Sequence, residues 1–122
     1  MNPAEVVRTL WERIEARDWA GFAALLAADV RLTYPVSAER FQGRDALVAI
    51  NAEFPEGWSI HILRIVADGD TVVSEVSVPM GADDHRAVTF WTVRDGLVTE
   101  AVEYWTVAGG AEPAAWRAPY RI

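Results

Sequence analysis

The chain changes its hydrophobic period near its middle, from helical spacing to strict alternation. Val7, Leu10, Trp11 and Ile14 follow i, i+3, i+4, i+7 spacing, one apolar stripe on an otherwise polar helix. Asn2 stands at the N-cap position and Pro3 at the first helical residue. Asp18 can cap a second helix, in which Trp19, Phe22, Ala23 and Leu26 repeat the stripe. Val30, Leu32, Tyr34 and Val36 then alternate with Arg31, Thr33 and Pro35, which predicts a short strand. Pro35 lacks an N–H donor and marks an edge or a strand end. A turn at Phe41-Gln42-Gly43 leads into a third helix over about residues 44–54, with Leu47, Ile50 and Phe54 on one side. Pro55-Glu56-Gly57 stops it.

Four alternating runs follow, over about residues 58–67, 71–80, 85–94 and 97–107. Asp68-Gly69, Gly81-Ala82-Asp83-Asp84 and Asp95-Gly96 divide them, and these are hairpin signals too short for parallel crossovers. Helices ahead of such a meander predict an α+β domain, three helices packed on a curved antiparallel sheet. With no repeat or linker in view, the expectation is one domain over residues 1–122, with a core at 3–107 and a tail at 108–122. Trp116 and Tyr120 give that tail enough apolar surface to pack on the body or on a partner chain.

Alternation also says which side chains face inward. Val72, Ser74, Val76, Val78 and Met80 share one face of their strand. In the next, His85, Ala87, Thr89, Trp91 and Val93 oppose Arg86, Val88, Phe90 and Thr92. Neither face of that strand is fully polar, which predicts cover on both sides. In the last strand Leu97, Thr99, Ala101, Glu103, Trp105 and Val107 share a face. The first run of the meander alternates only if a bulge near Ile62 brings Trp58, Ile60, Leu63 and Ile65 together, and bulges bend sheets.

Composition narrows the function classes. With 122 residues, 52% hydrophobic and 24% charged, the chain suits one globular core. A net charge of -7 with scattered arginines argues against nucleic acid as a partner. No cysteine excludes thiolate chemistry and disulfides, and two histidines with no carboxylates at ligand spacing predict no metal and no cofactor. No secretory pattern opens the sequence, and no apolar run nears the roughly 20 residues that cross a bilayer. The expectation is a cytoplasmic protein with no membrane partner.

Five local phrases in order carry a family resemblance: Asp18-Trp19-Ala20-Gly21-Phe22 through Leu26-Ala27-Ala28-Asp29-Val30; Phe41-Gln42-Gly43-Arg44-Asp45-Ala46; Val66-Ala67-Asp68-Gly69-Asp70-Thr71-Val72; Val93-Arg94-Asp95-Gly96-Leu97-Val98; and Glu103-Tyr104-Trp105. Over residues 3–107 the chain resembles the nuclear transport factor 2-like superfamily, and within it the SnoaL-like group. That resemblance implies a cone-shaped half-barrel enclosing a deep pocket and a homodimer formed through the sheet. The steroid-isomerase branch carries a tyrosine and two aspartates where this chain has Leu10, Tyr34 and Thr89. The epoxide-hydrolase branch carries polar groups where this chain has Val76, Val78, Leu32 and Tyr34, and only Glu103 keeps an acidic position. Neither mechanism is expected here. The polyketide-cyclase relatives work by acid/base chemistry from a pocket carboxylate.

Glu103 is the foremost catalytic candidate. A carboxylate on an apolar face is desolvated, which raises its pKa toward the range of proton transfer. His85 is a second catalytic candidate, as its possible partner, although after Asp83-Asp84 it also fits an exposed loop. His61 is expected to point away. Tyr34, Trp58, Ile60, Val76, Val78, Met80, Thr89, Trp91 and Trp105 are the expected ligand-contacting residues. Three functions fit. One is a cofactor-free lyase, isomerase or cyclase acting on a hydrophobic polycyclic, terpenoid or polyketide-like compound. The second is a non-catalytic module that binds an apolar small molecule. The third is a dimerising module whose cavity is vestigial.

Overall fold

Asn2 opens the first helix by the predicted means. In the computed structural model, which describes residues 1–122, its side chain accepts from the Glu5 N–H and donates to the Glu5 carboxylate, both at 2.9 Å. The first bond satisfies a main-chain donor that the first turn leaves free, and the second, between side chains, holds the cap in place. Helix α1, Pro3–Glu15, buries Val6, Val7, Leu10, Trp11 and Ile14 on one stripe. Asp18 caps α2, Trp19–Ala23, by accepting from the Gly21 N–H at 2.9 Å. A Cβ at position 21 would overlap that carboxylate, so only glycine lets the cap close. Helix α3, Arg44–Ala52, follows Gly43, whose φ of 96° starts the turn.

The strands are β1 (Leu26–Tyr34), β2 (Glu39–Gln42), β3 (His61–Asp68), β4 (Thr71–Met80), β5 (Asp83–Arg94) and β6 (Leu97–Val107). They form one curved, unclosed sheet in the order β2-β1-β6-β5-β4-β3. All neighbours are antiparallel except β1 and β6, which run parallel. The Asp95-Gly96 hairpin has both residues left-handed, at φ 52° and 77°, as a two-residue turn of that kind requires. Helix α1 lies across β3, β4 and β5, and α3 packs on β1 and α2. The core runs between α1 and the concave face, where Val72, Val76, Ala87, Trp91, Val93, Val98 and Ala101 are buried. No helix is long and apolar enough to cross a membrane.

Four local expectations need correction. Helix α2 is shorter than its stripe, because Leu26 already pairs with Val98 as the first residue of β1. Strand β1 then advances to Arg31 while β6 advances only to Glu100, an irregularity in their pairing, and Leu26 and Val30 both face the core. The segment expected as a turn before α3 forms the short edge strand β2, held by pairing with β1. The bulge in β3 falls one residue later than expected. Ile62 pairs with Val76 and Arg64 with Glu75, so Leu63 is the extra residue and is 46% exposed, while Ile62 turns inward. Because side-chain direction reverses at each residue, that single step exchanges the two. Finally, the outer face of β5 is open in the single chain, with Phe90 45% exposed.

Candidate functional site

Curvature of the sheet and the tilt of α1 leave a cavity of about 310 Å³ between them. Its wall takes Trp11 and Ile14 from α1, Tyr34 from β1, and Val36 and Ser37 from the loop beyond it. Asn51 and Phe54 come from the end of α3, and Trp58 and Ile60 from the segment before β3. Val78, Glu103 and Trp105 complete it from the sheet. Nine of these twelve residues are hydrophobic, and Glu103 supplies the only carboxylate.

Glu103 belongs to a polar lane that crosses the concave face. Ser74 pairs with Thr89 across β4 and β5, and Thr89 pairs with Glu103 across β5 and β6. Strand β1 runs parallel to β6 with Thr33 opposite Val102, which puts Tyr34 beside Glu103 at the next position. The Thr89 hydroxyl donates to Glu103 Oε1 at 2.6 Å, and the Trp105 indole N–H donates to Oε2 at 2.6 Å. Glu103 is only 6% exposed. Burial pushes its pKa above the ordinary carboxylate value, while Thr89, Trp105 and Tyr34 each draw it back by favouring the anion. The Tyr34 phenol is pushed up in turn, by burial first and then by the nearby Glu103 charge.

The two donors differ in kind. An indole can only donate, so Oε2 is always an acceptor, whereas a hydroxyl can donate to an ionised carboxylate or accept from a protonated one. Oε1 can therefore gain or lose its proton without leaving a buried polar atom unpaired. This is what a group that cycles between acid and base needs.

Further along the lane, Ser74 Oγ accepts from the Trp11 indole at 3.1 Å and from the Trp91 indole at 2.8 Å, both bonds buried. Ser74 thus ties α1 to β4 and β5 immediately beneath the cavity. Ser74→Ala strands two buried N–H groups, each worth about 1–3 kcal/mol when unsatisfied. The expected result is a loss of about 2–4 kcal/mol in urea unfolding. A loss under about 0.5 kcal/mol would show that the two indoles find other partners.

The structure sorts the residues singled out in the sequence. Glu103, Tyr34, Trp58, Ile60, Val78 and Trp105 all stand on the cavity wall. Val76 and Trp91 are instead buried in the core behind it, and Thr89 lies under Glu103. Met80 packs on the core at the strand end, where it bridges to Trp58. These four contribute no cavity surface. His85 also lies off the wall: it packs edge-on against Trp105 at 6.1 Å between centroids, and Trp105 stands between it and Glu103. His61 is exposed and bonds Ser59 at 3.0 Å.

Several wall residues were not singled out as ligand contacts: Trp11, Ile14, Val36, Ser37, Asn51 and Phe54. Trp11 and Ile14 lie on the apolar side of α1, a signal that marks burial without separating core from cavity, while Phe54, expected on the third helix, falls two residues beyond its end. Ser37 and Asn51 carry no periodic signal at all.

Over residues 7–101 the chain matches the model of the SnoaL-like domain. It belongs to the SnoaL-like family. Among solved structures, a ketosteroid-isomerase-like protein from Kribbella flavida DSM 17836 is similar, with 32% identity and a TM-score of 0.92 over 98% of this chain and 87% of that one. A nuclear transport factor 2-like protein of unknown function from Burkholderia xenovorans LB400 shares the fold at 23% identity, with a TM-score of 0.83 over 98% and 93% of the two chains. An LEH-like epoxide hydrolase from M. tuberculosis shares it at 21% identity, with a TM-score of 0.72 over 85% and 82%. Curated protein sequences contain no significant match. As a SnoaL-like domain, the chain presents the half-barrel of its superfamily with its own cavity wall.

Proposed function

We propose that this SnoaL-like domain is a cofactor-free acid/base catalyst, a lyase, isomerase or cyclase, acting on a hydrophobic terpenoid- or polyketide-like compound. The observation that carries this reading is Glu103. It is a buried carboxyl on the wall of an apolar cavity, held by one obligate donor and one hydroxyl that tolerates either protonation state. Glu103 is the acid/base group, Tyr34 is the group placed to orient a ligand oxygen, and Thr89 and Trp105 position the carboxyl. A cavity of about 310 Å³ lies at the small end of ligand sites, which favours a compact one- or two-ring compound over a larger polycycle.

The test is uptake of deuterium from D2O at the carbon next to the carbonyl, in a panel of monocyclic and bicyclic terpenoid ketones. Exchange by the wild type that vanishes in Glu103→Gln supports the reading. Binding without exchange leaves a ligand carrier in place of an enzyme.

We further infer a homodimer through the convex face of the sheet. Val66, Phe90 and Tyr104 stand there 62%, 45% and 40% exposed, and the rings of Phe90 and Tyr104 meet edge to face. An apolar face of this kind commonly seats a partner. Light scattering is expected to give twice the chain mass, and Phe90→Glu is expected to give the monomer. A wild-type monomer at high concentration would dismiss this interface.

A further inference from the structure

The charge pattern around the cavity indicates what kind of ligand it takes. Each carboxylate whose pKa is lowered has an arginine partner: Asp18 with Arg13, Glu56 with Arg17, and Asp84 with Arg86. Glu103, the one buried carboxylate, has none. The chain's eleven basic side chains all stay off the cavity wall. Buried carboxylates are ordinarily paired, because an isolated buried charge is costly. Glu103 therefore has hydrogen bonds but no counter-charge from its own protein. Thr89 donates to one of its oxygens and Trp105 to the other, with the Tyr34 hydroxyl beside them, and all three are neutral donors.

The rest of the wall is suited to positive charge and poorly suited to negative. Trp11, Tyr34, Phe54, Trp58 and Trp105 make five of its twelve residues aromatic. Aromatic faces attract cations, and most strongly where water is excluded. This shell already holds one, since the Arg17 guanidinium sits 3.3 Å from the centroid of the Trp58 ring from outside the wall. An anionic ligand would meet Glu103, no basic group and a net charge of -7.

We propose that the cavity is selective for a compact hydrophobic cation, a tertiary or quaternary ammonium or an iminium, whose positive centre pairs with Glu103 among these rings. This names a ligand class for the site and rests on the reading of the cavity as a ligand site. Ion pair and aromatic wall then act together, because each is strengthened by the exclusion of water that the other maintains. A carboxylate or phosphate is disfavoured by the same features.

Three probes of matched size test this by calorimetry or ligand-observed NMR: benzyltrimethylammonium, its neutral isostere neopentylbenzene, and the anion phenylacetate. Wild type is expected to prefer the ammonium over the neutral isostere by at least about tenfold and to bind phenylacetate not at all. Glu103→Gln is expected to lose most of that preference while still binding neopentylbenzene. Phe54→Leu, which keeps apolar bulk at a half-exposed site, is expected to weaken the ammonium several-fold more than the isostere. Equal or tighter binding of neopentylbenzene by the wild type overturns the proposal, and so does failure of the ammonium to bind. The two readings fail separately. A cation preference without deuterium exchange removes the catalysis and keeps the ligand class, whereas exchange in neutral ketones without a cation preference does the reverse.

Discussion

Glu103→Gln is expected to lower proton-transfer turnover by about 10²–10⁴-fold, the usual worth of a positioned acid/base group. The same substitution is expected to leave the affinity for a neutral ligand within about threefold, because an amide occupies the volume of the carboxyl. It also suits the bonding around it. The Gln oxygen can accept from the Trp105 indole and the amide nitrogen can donate to the Thr89 hydroxyl, so neither neighbour is left unpaired. The loss therefore falls on kcat with KM nearly unchanged, the pattern of a group that acts in the transition state. Turnover that survived in the variant would remove Glu103 from the chemistry.

The second large effect is on stability, and its sign is opposite. Burial raises the Glu103 pKa above its unfolded value of 4.5, so over the interval between the two the native state holds a proton that the unfolded chain has released. Stability then falls as pH rises through that interval, and above it the native state carries the full cost of a buried anion. Glu103→Gln removes this cost, because its amide mimics the protonated acid at every pH. The variant is expected to match the wild type near pH 4 and to be more stable by several degrees in Tm near pH 8, since about 1 kcal/mol shifts a domain of this size by about 4 °C. Asp18, Glu56 and Asp84 are held below their ordinary values by backbone or arginine partners and work the other way, losing their contribution as pH falls. They are common to both proteins, so the difference between the two melting curves isolates Glu103. A variant less stable than the wild type near pH 8 would mean that the carboxylate is welcome where it is buried. More stability with less activity is what a strained functional group leaves behind when it is removed.

The sequence was most legible where one local rule decides the outcome. Asn2 and Asp18 cap their helices because a short polar side chain can reach the free N–H groups of the first turn. Asp95-Gly96 closes a hairpin because both positions must be left-handed. The apolar stripe of α1 had to be buried somewhere, and the inward face of β6 could be read from its alternation from Ala101 to Trp105, whereas a register shift ahead of it buries Val98 in place of Leu97 and Thr99.

Legibility failed where long-range pairing or a single-residue shift decides. Strand β2 exists only because β1 offers it a partner, and its four residues carry little signal alone. At Leu63 and Ile62 two apolar residues compete for one inward position, and the pairing with β4 determines which wins. Ser37, Asn51 and Phe54 reach the cavity only through how the β1–β2 loop and the end of α3 come to rest, which no periodicity records. Ser74 was placed on an inward face by alternation, but its role as a shared acceptor for Trp11 and Trp91 depends on α1 crossing the sheet at that point. Core and cavity also share one composition, so Val76 and Trp91 could not be told from Val78 and Trp105 before the position of α1 was known.

Titration of the Glu103 carboxyl carbon by ¹³C NMR tests the central claim most directly, with its signal assigned by its absence from the spectrum of Glu103→Gln. The expected result is a midpoint clearly above the ordinary glutamate value of 4.5. A midpoint at or below 4.5 would mean that Thr89, Trp105 and Tyr34 hold a permanent anion, and Glu103 would then have no proton to exchange in the neutral range.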